Sequence, residues 1–241
     1  MPRFYIAHTP ILNTRMNLPD AAAHHAARVL RLNAGDVVVL FDGSGSEWVS
    51  TINCIDKRDV EVEVHERLAV SRESPLTVTL VQGISSGDRM DYTLQKAVEL
   101  GVARIQPLAC ARSVVKLAGE RADKRRSHWQ NLVIAACEQC GRNVVPEVAA
   151  VETLPNWLAN SPAQPLRIMF SPDADASLHT LAKPETGVEI LAGPEGGFSP
   201  DEYRSAVTAG FTPVRLGPRV LRTETAAVAA LSAMQVLWGD F

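Results

Sequence analysis

The rhythm of hydrophobic and polar positions changes once along the chain. Within residues 1–70 the apolar positions come in short runs, and VEVEVHERL alternates with the period of two that is typical of a half-buried strand. The run VVVLF and the strand after it are joined by Asp42-Gly43-Ser44-Gly45, where glycine accepts the positive φ of a hairpin turn. DAAAHHAARVLR predicts a single helix with Asp20 as its N-cap. Short strands joined by tight turns predict a small β-barrel.

Beyond residue 75, short buried runs alternate with longer helical patterns. The segments LTVTLVQGI, LRIMF and VEILAG predict buried strands, whereas MDYTLQKAVELG, ERADKRRSHWQNLVIAACEQCG and TAAVAALSAMQVLW predict helices. SPDEYRSAVTAG opens with a capping box formed by Ser199 and Glu202. This alternation predicts an α/β domain with a parallel sheet. The polar segment SRESP separates the two patterns, so the predicted domains are residues 1–72 and 73–241.

Composition places the chain among ordinary globular proteins. Of its 241 residues, 46% are hydrophobic and 21% are charged, which excludes intrinsic disorder. No apolar run approaches the ~20 residues of a membrane span, and the first residues lack the apolar core of a signal peptide. We therefore expect a cytoplasmic protein with no membrane partner.

The charge is distributed unevenly. The net charge of −3 argues against a general coat for nucleic acid, but residues 73–145 carry 10 basic and 7 acidic residues. The basic cluster Arg121, Lys124, Arg125 and Arg126 is most simply a solvated helix face. Arg28 and Arg31 lie three apart on one face of the predicted helix, where they either contact phosphates or remain solvated.

The cysteines do not form a metal or redox motif. Cys137 and Cys140 have CxxC spacing but lie near the end of a predicted helix, whereas a redox pair needs a helix start to lower the thiol pKa. A zinc site would need two more ligands at matching spacing. We interpret both as plain helix-face thiols and expect no metal.

Two glycine-bearing loops follow predicted strands in the last third of the chain. The first is LAGPEGG, residues 191–197, and ligands of open α/β sheets bind at the carboxyl ends of strands, where this loop lies. Gly193, Gly196 and Gly197 would let the backbone approach a flat ligand. The spacing is not that of GxGxxG. A tight turn feeding a capped helix explains the loop equally well.

The second loop, LGPRVLRTETAA, covers residues 216–227 and opens the final helix. Thr223 or Thr225 could cap that helix. Arg222 and Glu224 are harder to explain structurally, because they stand beside an apolar pair, where a charge is costly unless it is paired or used.

Together these loops carry a family resemblance. GPEGGFSPDE followed by LGPRVLRTETAA closely resembles the RsmE family of SPOUT-superfamily methyltransferases, which methylate a uridine of small-subunit ribosomal RNA at N3 with S-adenosylmethionine. HAARVLRLNAGD, RMDYTLQKAVELGV and ACEQCGR resemble further family motifs in family order, so the resemblance spans nearly the whole chain.

The resemblance implies a fold, a cofactor site and partners. The implied fold is a PUA-like β-barrel followed by a SPOUT α/β domain with a trefoil knot, and the implied assembly is a homodimer with its site near the subunit interface. Glu138, Gln139 and Arg142 are implied to lie behind the site or to face RNA, with Arg142 among the RNA-binding residues. The implied S-adenosylmethionine-binding residues are Phe170, Ser171, Pro172, Leu191, Gly193, Pro194, Glu195, Gly196, Gly197, Leu216, Gly217, Val220, Leu221, Thr223, Thr225 and Ala226.

The chemistry of methyl transfer points to the residues that would perform it. Uracil N3 must lose its proton or have its anionic form stabilised, and a fixed arginine suits the second task. We predict Arg222 in that role, with Glu224 orienting it or a neighbour, in the 16S RNA of the small subunit. We also predict a dimer built on the last helix through Leu231, Met234 and Trp238.

Two other functions remain open at this point. One is a non-catalytic RNA-binding or assembly factor that keeps the fold, although the intact glycines and the complete RTET stretch argue against a decayed pocket. The other is a nucleotide hydrolase, which is disfavoured because no GxxxxGK[ST] loop is present.

Overall fold

The chain divides into two compact units. In the computed structural model, which describes residues 1–57, 59–161 and 166–241, the chain divides into a unit of Met1–Glu73 with Cys137–Val145 and a unit of Ser74–Ala136 with Pro146–Phe241. The first unit thus takes in residues 137–145, which the sequence-based division does not assign to it. The domain limits at residues 72 and 73 stay a prediction.

The first unit is built on a mixed sheet with the order β1-β3-β4-β5-β2. β1 pairs with β3 in parallel, and the other neighbours are antiparallel. Trp48, Phe4 and Val62 lie in its core, completely or almost completely buried. The predicted hairpin and the alternating strand are confirmed. The strands are β1 (Arg3–Tyr5), β2 (Arg15–Asn17), β3 (Val37–Phe41), β4 (Glu47–Asp56) and β5 (Asp59–Leu68).

The helix of the first unit departs from its prediction at both ends. Helix α1 (Asp20–His24) begins one residue early, because Pro19 occupies the N-cap and Asp20 makes no capping bond. A π-helical turn (His25–Val29) continues it. Arg31 then adopts φ 55°, and the Leu32 N–H donates to the Ala26 carbonyl oxygen at 3.0 Å, which closes the helix. Arg28 and Arg31 therefore do not share a helix face.

The second unit carries a six-stranded sheet that is parallel throughout, as predicted. Its order is β11-β9-β10-β6-β7-β8. β8 was not predicted, since two residues carry no periodic signal. The strands are β6 (Val78–Gly83), β7 (Arg104–Leu108), β8 (Glu147–Val148), β9 (Leu166–Phe170), β10 (Val188–Ala192) and β11 (Thr212–Val214).

Five helices lie among the described residues that follow β6, and a 3₁₀ turn covers Leu178–Thr180. The predicted capping box is confirmed, because the Glu202 N–H donates to Ser199 Oγ and the Ser199 N–H donates to the Glu202 carboxylate. None of the helices in the described ranges is long and apolar enough to cross a membrane. The helices are α2 (Asp88–Glu99), α3 (Glu120–Cys140), α4 (Leu154–Asn160), α5 (Pro200–Thr208) and α6 (Thr223–Trp238).

Helix α6 buries the residues that were predicted to form a dimer interface. Leu231, Met234 and Trp238 are at most 6% exposed because α6 packs them against its own unit, which includes α2 and β10. They are therefore not free to cover a second subunit. Val236 and Leu237, on the opposite face, remain 66% and 40% exposed.

Candidate active site

A cavity of about 620 Å³ lies at the carboxyl ends of three neighbouring parallel strands. Phe170, Ala192 and Val214 are the last residues of β9, β10 and β11, and all three line it. The first turns of α2 and α6 contribute Arg89 and Glu224. This is the position at which open α/β sheets bind ligands, and the volume suits a cofactor-sized molecule.

The first glycine loop lies directly against the end of β6. A Cβ at Gly83 would stand 2.6 Å from both the Cδ and the backbone N of Pro194, so only glycine permits this approach. The loop turns back through a 2.9 Å hydrogen bond from the Gly197 N–H to the Pro194 carbonyl oxygen, with Gly197 at φ 66°. The cavity wall is therefore backbone at this point.

Thr223 fastens the start of α6 to that loop. Its hydroxyl donates to the Gly193 carbonyl oxygen at 2.6 Å and accepts a 3.0 Å hydrogen bond from Nε2 of the buried Gln82. Neither predicted capping role is realised, because Arg222 occupies the N-cap and no side chain caps the helix. The threonine instead joins the two glycine loops and the end of β6.

Glu195 is held as a carboxylate at the rim of the cavity. Its Oε1 accepts hydrogen bonds from the Ser86 N–H at 2.8 Å, Ser86 Oγ at 2.7 Å and Arg89 Nη1 at 3.0 Å. Burial raises the pKa of Glu195, but the hydrogen bonds from Ser86, and then from Arg89, outweigh it and lower the pKa to about 2. The charge on this loop is thus permanent at neutral pH.

Arg222 and Glu224 both line the cavity, as the catalytic prediction requires, but in different environments. Arg222 is exposed, whereas the Glu224 side chain is 16% exposed. Glu224 Oε1 lies 3.9 Å from Arg89 Nε, and its Oε2 is buried with no hydrogen-bond partner in the described part of the chain. An unpartnered buried carboxylate oxygen is costly unless a ligand supplies a donor.

Most of the predicted cofactor-binding residues lie around this one cavity. Three do not line it. Leu191 is fully buried in the core, Thr225 is exposed outside it, and Gly196 faces Arg112, whose Cβ would lie 3.0 Å from an added Cβ. The residues that line it are Phe170, Ser171, Pro172, Gly193, Pro194, Glu195, Gly197, Leu216, Gly217, Val220, Leu221, Thr223 and Ala226.

Sequence reasoning missed several polar side chains of the cavity. Arg89 opens the RMDYTLQKAVELGV segment, which was linked to the family but given no role in the site, and no local pattern marks Arg112. Asp173, Arg215 and Arg219 could have been found, since each adjoins or lies within a predicted loop. Tyr203, on α5, was assigned only to a helix face.

The predicted RNA-binding residues belong to the first unit. Arg28 and Arg31 are exposed. Arg142, in contrast, is 5% exposed, and its Nη2 donates to Glu73 Oε2 at 2.6 Å. A buried, paired guanidinium does not offer a free cation to phosphate, so the structure gives Arg142 a structural role instead.

Glu138 also bonds within the first unit. Its Oε1 accepts a 2.9 Å hydrogen bond from the Tyr5 N–H, and burial raises the pKa of its carboxyl group. The ACEQCGR segment therefore anchors the end of α3 to strand β1.

The CxxC cysteines are free thiols on α3, as predicted. Burial raises the pKa of Cys137 to about 12, so the thiolate is not populated at neutral pH. Within the described ranges no group of three or more His, Cys, Asp or Glu side chains is placed to hold a metal ion.

Comparison with known proteins identifies the class. The family model of the RNA methyltransferase domain matches residues 72–235, and that of the RNA methyltransferase PUA domain matches residues 18–64. The chain is thus built as a PUA domain followed by an RNA methyltransferase domain, and the predicted PUA-like and SPOUT-type α/β architecture is confirmed. The trefoil knot stays a prediction.

Full-length relatives then identify the family. The chain is 33% identical to ribosomal RNA small subunit methyltransferase E of Buchnera aphidicola, over 100% of this chain and 95% of that one. Its sequence is 42% identical to that of ribosomal RNA small subunit methyltransferase E from Neisseria gonorrhoeae, which was crystallised with bound S-adenosylmethionine. The two structures align with a TM-score of 0.93 over 100% of this chain and 99% of that one. A methyltransferase of Legionella pneumophila, also in complex with S-adenosylmethionine, gives 39% identity and a TM-score of 0.95 over 99% and 98%. The chain belongs to the RsmE family of ribosomal RNA small subunit methyltransferases.

Proposed function

We propose that this protein transfers a methyl group from S-adenosylmethionine to N3 of a uridine in the 16S RNA of the small ribosomal subunit. The observation that carries the proposal is the cavity at the ends of β9, β10 and β11, which glycine backbone, Arg222 and Glu224 all line. The family membership supports the reaction class.

The cavity has the features that S-adenosylmethionine requires. Its volume of about 620 Å³ falls in the usual range for a cofactor pocket. The close contact of Gly83 with Pro194 and the left-handed Gly197 set the path of the first glycine loop, and Gly193 and Gly197 present backbone without a side chain to the cavity, which favours close packing of a flat adenine. Residues 170–172, 193–195, 197, 216, 217, 220, 221, 223 and 226, which line the cavity, would hold the cofactor, which supplies an electrophilic methyl group on a sulfonium.

The chain's own residues supply positioning and electrostatics. Arg222 can hold a uracil carbonyl with its planar fork and stabilise the negative charge that develops as N3 loses its proton. Glu224, in the first turn of α6, carries an oxygen that accepts no hydrogen bond from the described residues and can orient a donor beside it. Because N3 lies on the Watson–Crick edge, the target base must be unpaired or flipped out.

A methylation assay tests the function. Small-subunit particles from cells that lack this activity are incubated with the purified chain and S-adenosylmethionine, and the nucleosides of the 16S RNA are analysed by mass spectrometry. We expect one 3-methyluridine per particle, formed about 100- to 1000-fold more slowly with Arg222→Ala. Normal cofactor binding without methylation would identify the non-catalytic RNA-binding factor instead.

The assembly and location of the protein are part of the same proposal. We propose a cytoplasmic homodimer, the location in which an enzyme of bacterial ribosomal RNA meets its substrate. The exposed apolar residues Val236 and Leu237 on α6 support a self-association surface. Analytical ultracentrifugation at micromolar concentration tests the dimer.

A further inference from the structure

Arg89 differs from the other arginines that line the cavity. Five arginines line it, and among the described residues only Arg89 lies within 4.0 Å of a carboxylate. It stands in the first turn of α2, and its side chain is 42% exposed. Its guanidinium reaches two carboxylates from different loops, Glu195 at 3.0 Å through Nη1 and Glu224 at 3.9 Å through Nε.

The first of these carboxylates does not depend on Arg89 alone. Glu195 Oε1 also accepts hydrogen bonds from the N–H and the hydroxyl of Ser86, at 2.8 and 2.7 Å. The first glycine loop therefore keeps two anchors when Arg89 is removed. Loss of the arginine is expected to leave the fold of this loop in place.

Among the described residues, Arg89 is the one cationic side chain within 4.0 Å of the second carboxylate, Glu224. Glu224 Oε1 faces the arginine, and Oε2 is buried without a hydrogen-bond partner in the described ranges. A guanidinium is a rigid planar fork, so the side that it occupies decides which oxygen of the carboxylate is left for another donor.

We propose that Arg89 is a positioning residue of the methyl-transfer site. Its guanidinium bridges Glu195 and Glu224 and orients the second carboxylate oxygen of Glu224 towards an N–H or O–H donor of the bound ligands. The inference rests on the proposed function. The donor is either the N3–H of the target uracil or a hydroxyl or amino group of S-adenosylmethionine. In this proposal Arg89 acts on the reaction through Glu224.

A double-mutant cycle tests the inference. The variants are Arg89→Gln, Glu224→Gln and the double variant, and Arg204→Gln is the matched control because Arg204 pairs with Asp201 on an exposed face of α5. Single-turnover methylation of small-subunit particles, calorimetric cofactor affinity and thermal unfolding are measured for each. The control should match the wild type in all three.

We expect Arg89→Gln to lower the methylation rate about 10- to 100-fold, the size of effect that a misplaced reacting group causes. Once Glu224 is replaced, adding Arg89→Gln should lower the rate less than about threefold further, because the arginine acts through that carboxylate. Cofactor affinity distinguishes the donors. An unchanged affinity in Glu224→Gln assigns the oxygen to uracil, and a loss of about tenfold or more assigns it to the cofactor.

Three outcomes would overturn the inference. The first is that the rate losses of the two single variants multiply in the double variant. The second is that the cofactor affinity falls in Arg89→Gln but not in Glu224→Gln. The third is a wild-type methylation rate in Arg89→Lys, which keeps the charge but lacks the planar fork. If Arg89→Gln does not fold, Arg89→Lys takes its place in the cycle, and the same coupling decides. A wild-type protein that binds cofactor without methylating RNA would instead refute the proposed function.

Discussion

The hydroxyl of Thr223 donates a 2.6 Å hydrogen bond to the carbonyl oxygen of Gly193, 30 residues away in sequence. This bond joins the two glycine loops, which are the last two of the motifs that carry the family resemblance. The same hydroxyl accepts from Gln82 at 3.0 Å, so one small side chain links three segments at the cavity. The shape of the site depends on such contacts, because both glycine loops line the cavity.

Replacing Thr223 should therefore loosen the cavity. Thr223→Val keeps the shape but removes both hydrogen bonds among buried groups, which should lower the free energy of unfolding by about 1–3 kcal/mol. Cofactor affinity should fall severalfold, since the loops lose their link. Thr223→Ser, which keeps the hydroxyl, serves as the control. Denaturant unfolding and calorimetry measure the two effects, and equal behaviour of the Val and Ser variants would refute the link.

Gly83→Ala should disturb the first loop without touching the ligand directly. The new Cβ would overlap the Pro194 backbone, so the loop must move. Overpacking of this kind costs about 1–3 kcal/mol of unfolding free energy, and cofactor affinity should fall at least about tenfold. Gly119→Ala is the control for cofactor affinity alone, because Gly119 does not line the cavity, whereas its φ of 52° makes alanine there costly to stability in its own right. Normal cofactor affinity in Gly83→Ala would show that this loop does not shape the pocket.

Arg222→Ala should lower kcat by about two to three orders of magnitude, as loss of one preorganised electrostatic donor does in other enzymes. Cofactor affinity should change much less, because the adenine is expected to contact backbone. Arg222→Lys should restore little, since a point charge lacks the planar fork. Single-turnover methylation with parallel calorimetry provides the measurement. A near-normal rate, or a defect confined to cofactor binding, would remove Arg222 from the catalytic assignment.

The depressed pKa of Glu195 predicts a pH-dependent contribution to stability. The folded pKa of about 2 lies below the ordinary value of 4.5, so the ionised carboxylate stabilises the fold fully above pH 4.5, and this contribution is lost as the pH falls towards 2. The difference in unfolding free energy between the wild type and Glu195→Gln should shrink over that interval. Ser86→Ala should raise the pKa of Glu195, which a ¹³C NMR titration of the carboxyl group detects. A difference that stays constant from pH 7 to pH 2 would contradict the assignment.

The homodimer should depend on the exposed face of α6. Val236→Glu places a charge where 66% of the side chain is exposed, and it should convert a dimer into a monomer at micromolar concentration in sedimentation velocity experiments. Val207→Glu, on α5 and 42% exposed, is the control for an added surface charge. A wild-type protein that sediments as a monomer would contradict the prediction outright.

Some features follow from local sequence alone. The capping box of Ser199 and Glu202 is formed as predicted, because both partners lie within one turn of helix. Strands β9 and β10 are short and mostly apolar, as strands of a sheet covered on both faces are, and their two charged residues, Arg167 and Glu189, pair with each other. The short elements β2, β8 and α4 were not predicted, since two to seven residues carry little periodicity.

By itself the sequence determined the two-part architecture, the alternation of strands and helices, and the two glycine loops, because the pattern that predicts each of them lies within a continuous segment of the chain. Only the tertiary structure decided which face of α6 is buried, that Arg142 pairs with Glu73, and that Gly196 faces Arg112 rather than the cavity. It also brought Arg89 to Glu195 across 106 residues of sequence. The physical reason is the same throughout. Periodicity determines which side of an element is apolar and becomes buried. The residues that cover that side, or that neutralise a charge on it, come from distant segments that only folding brings near.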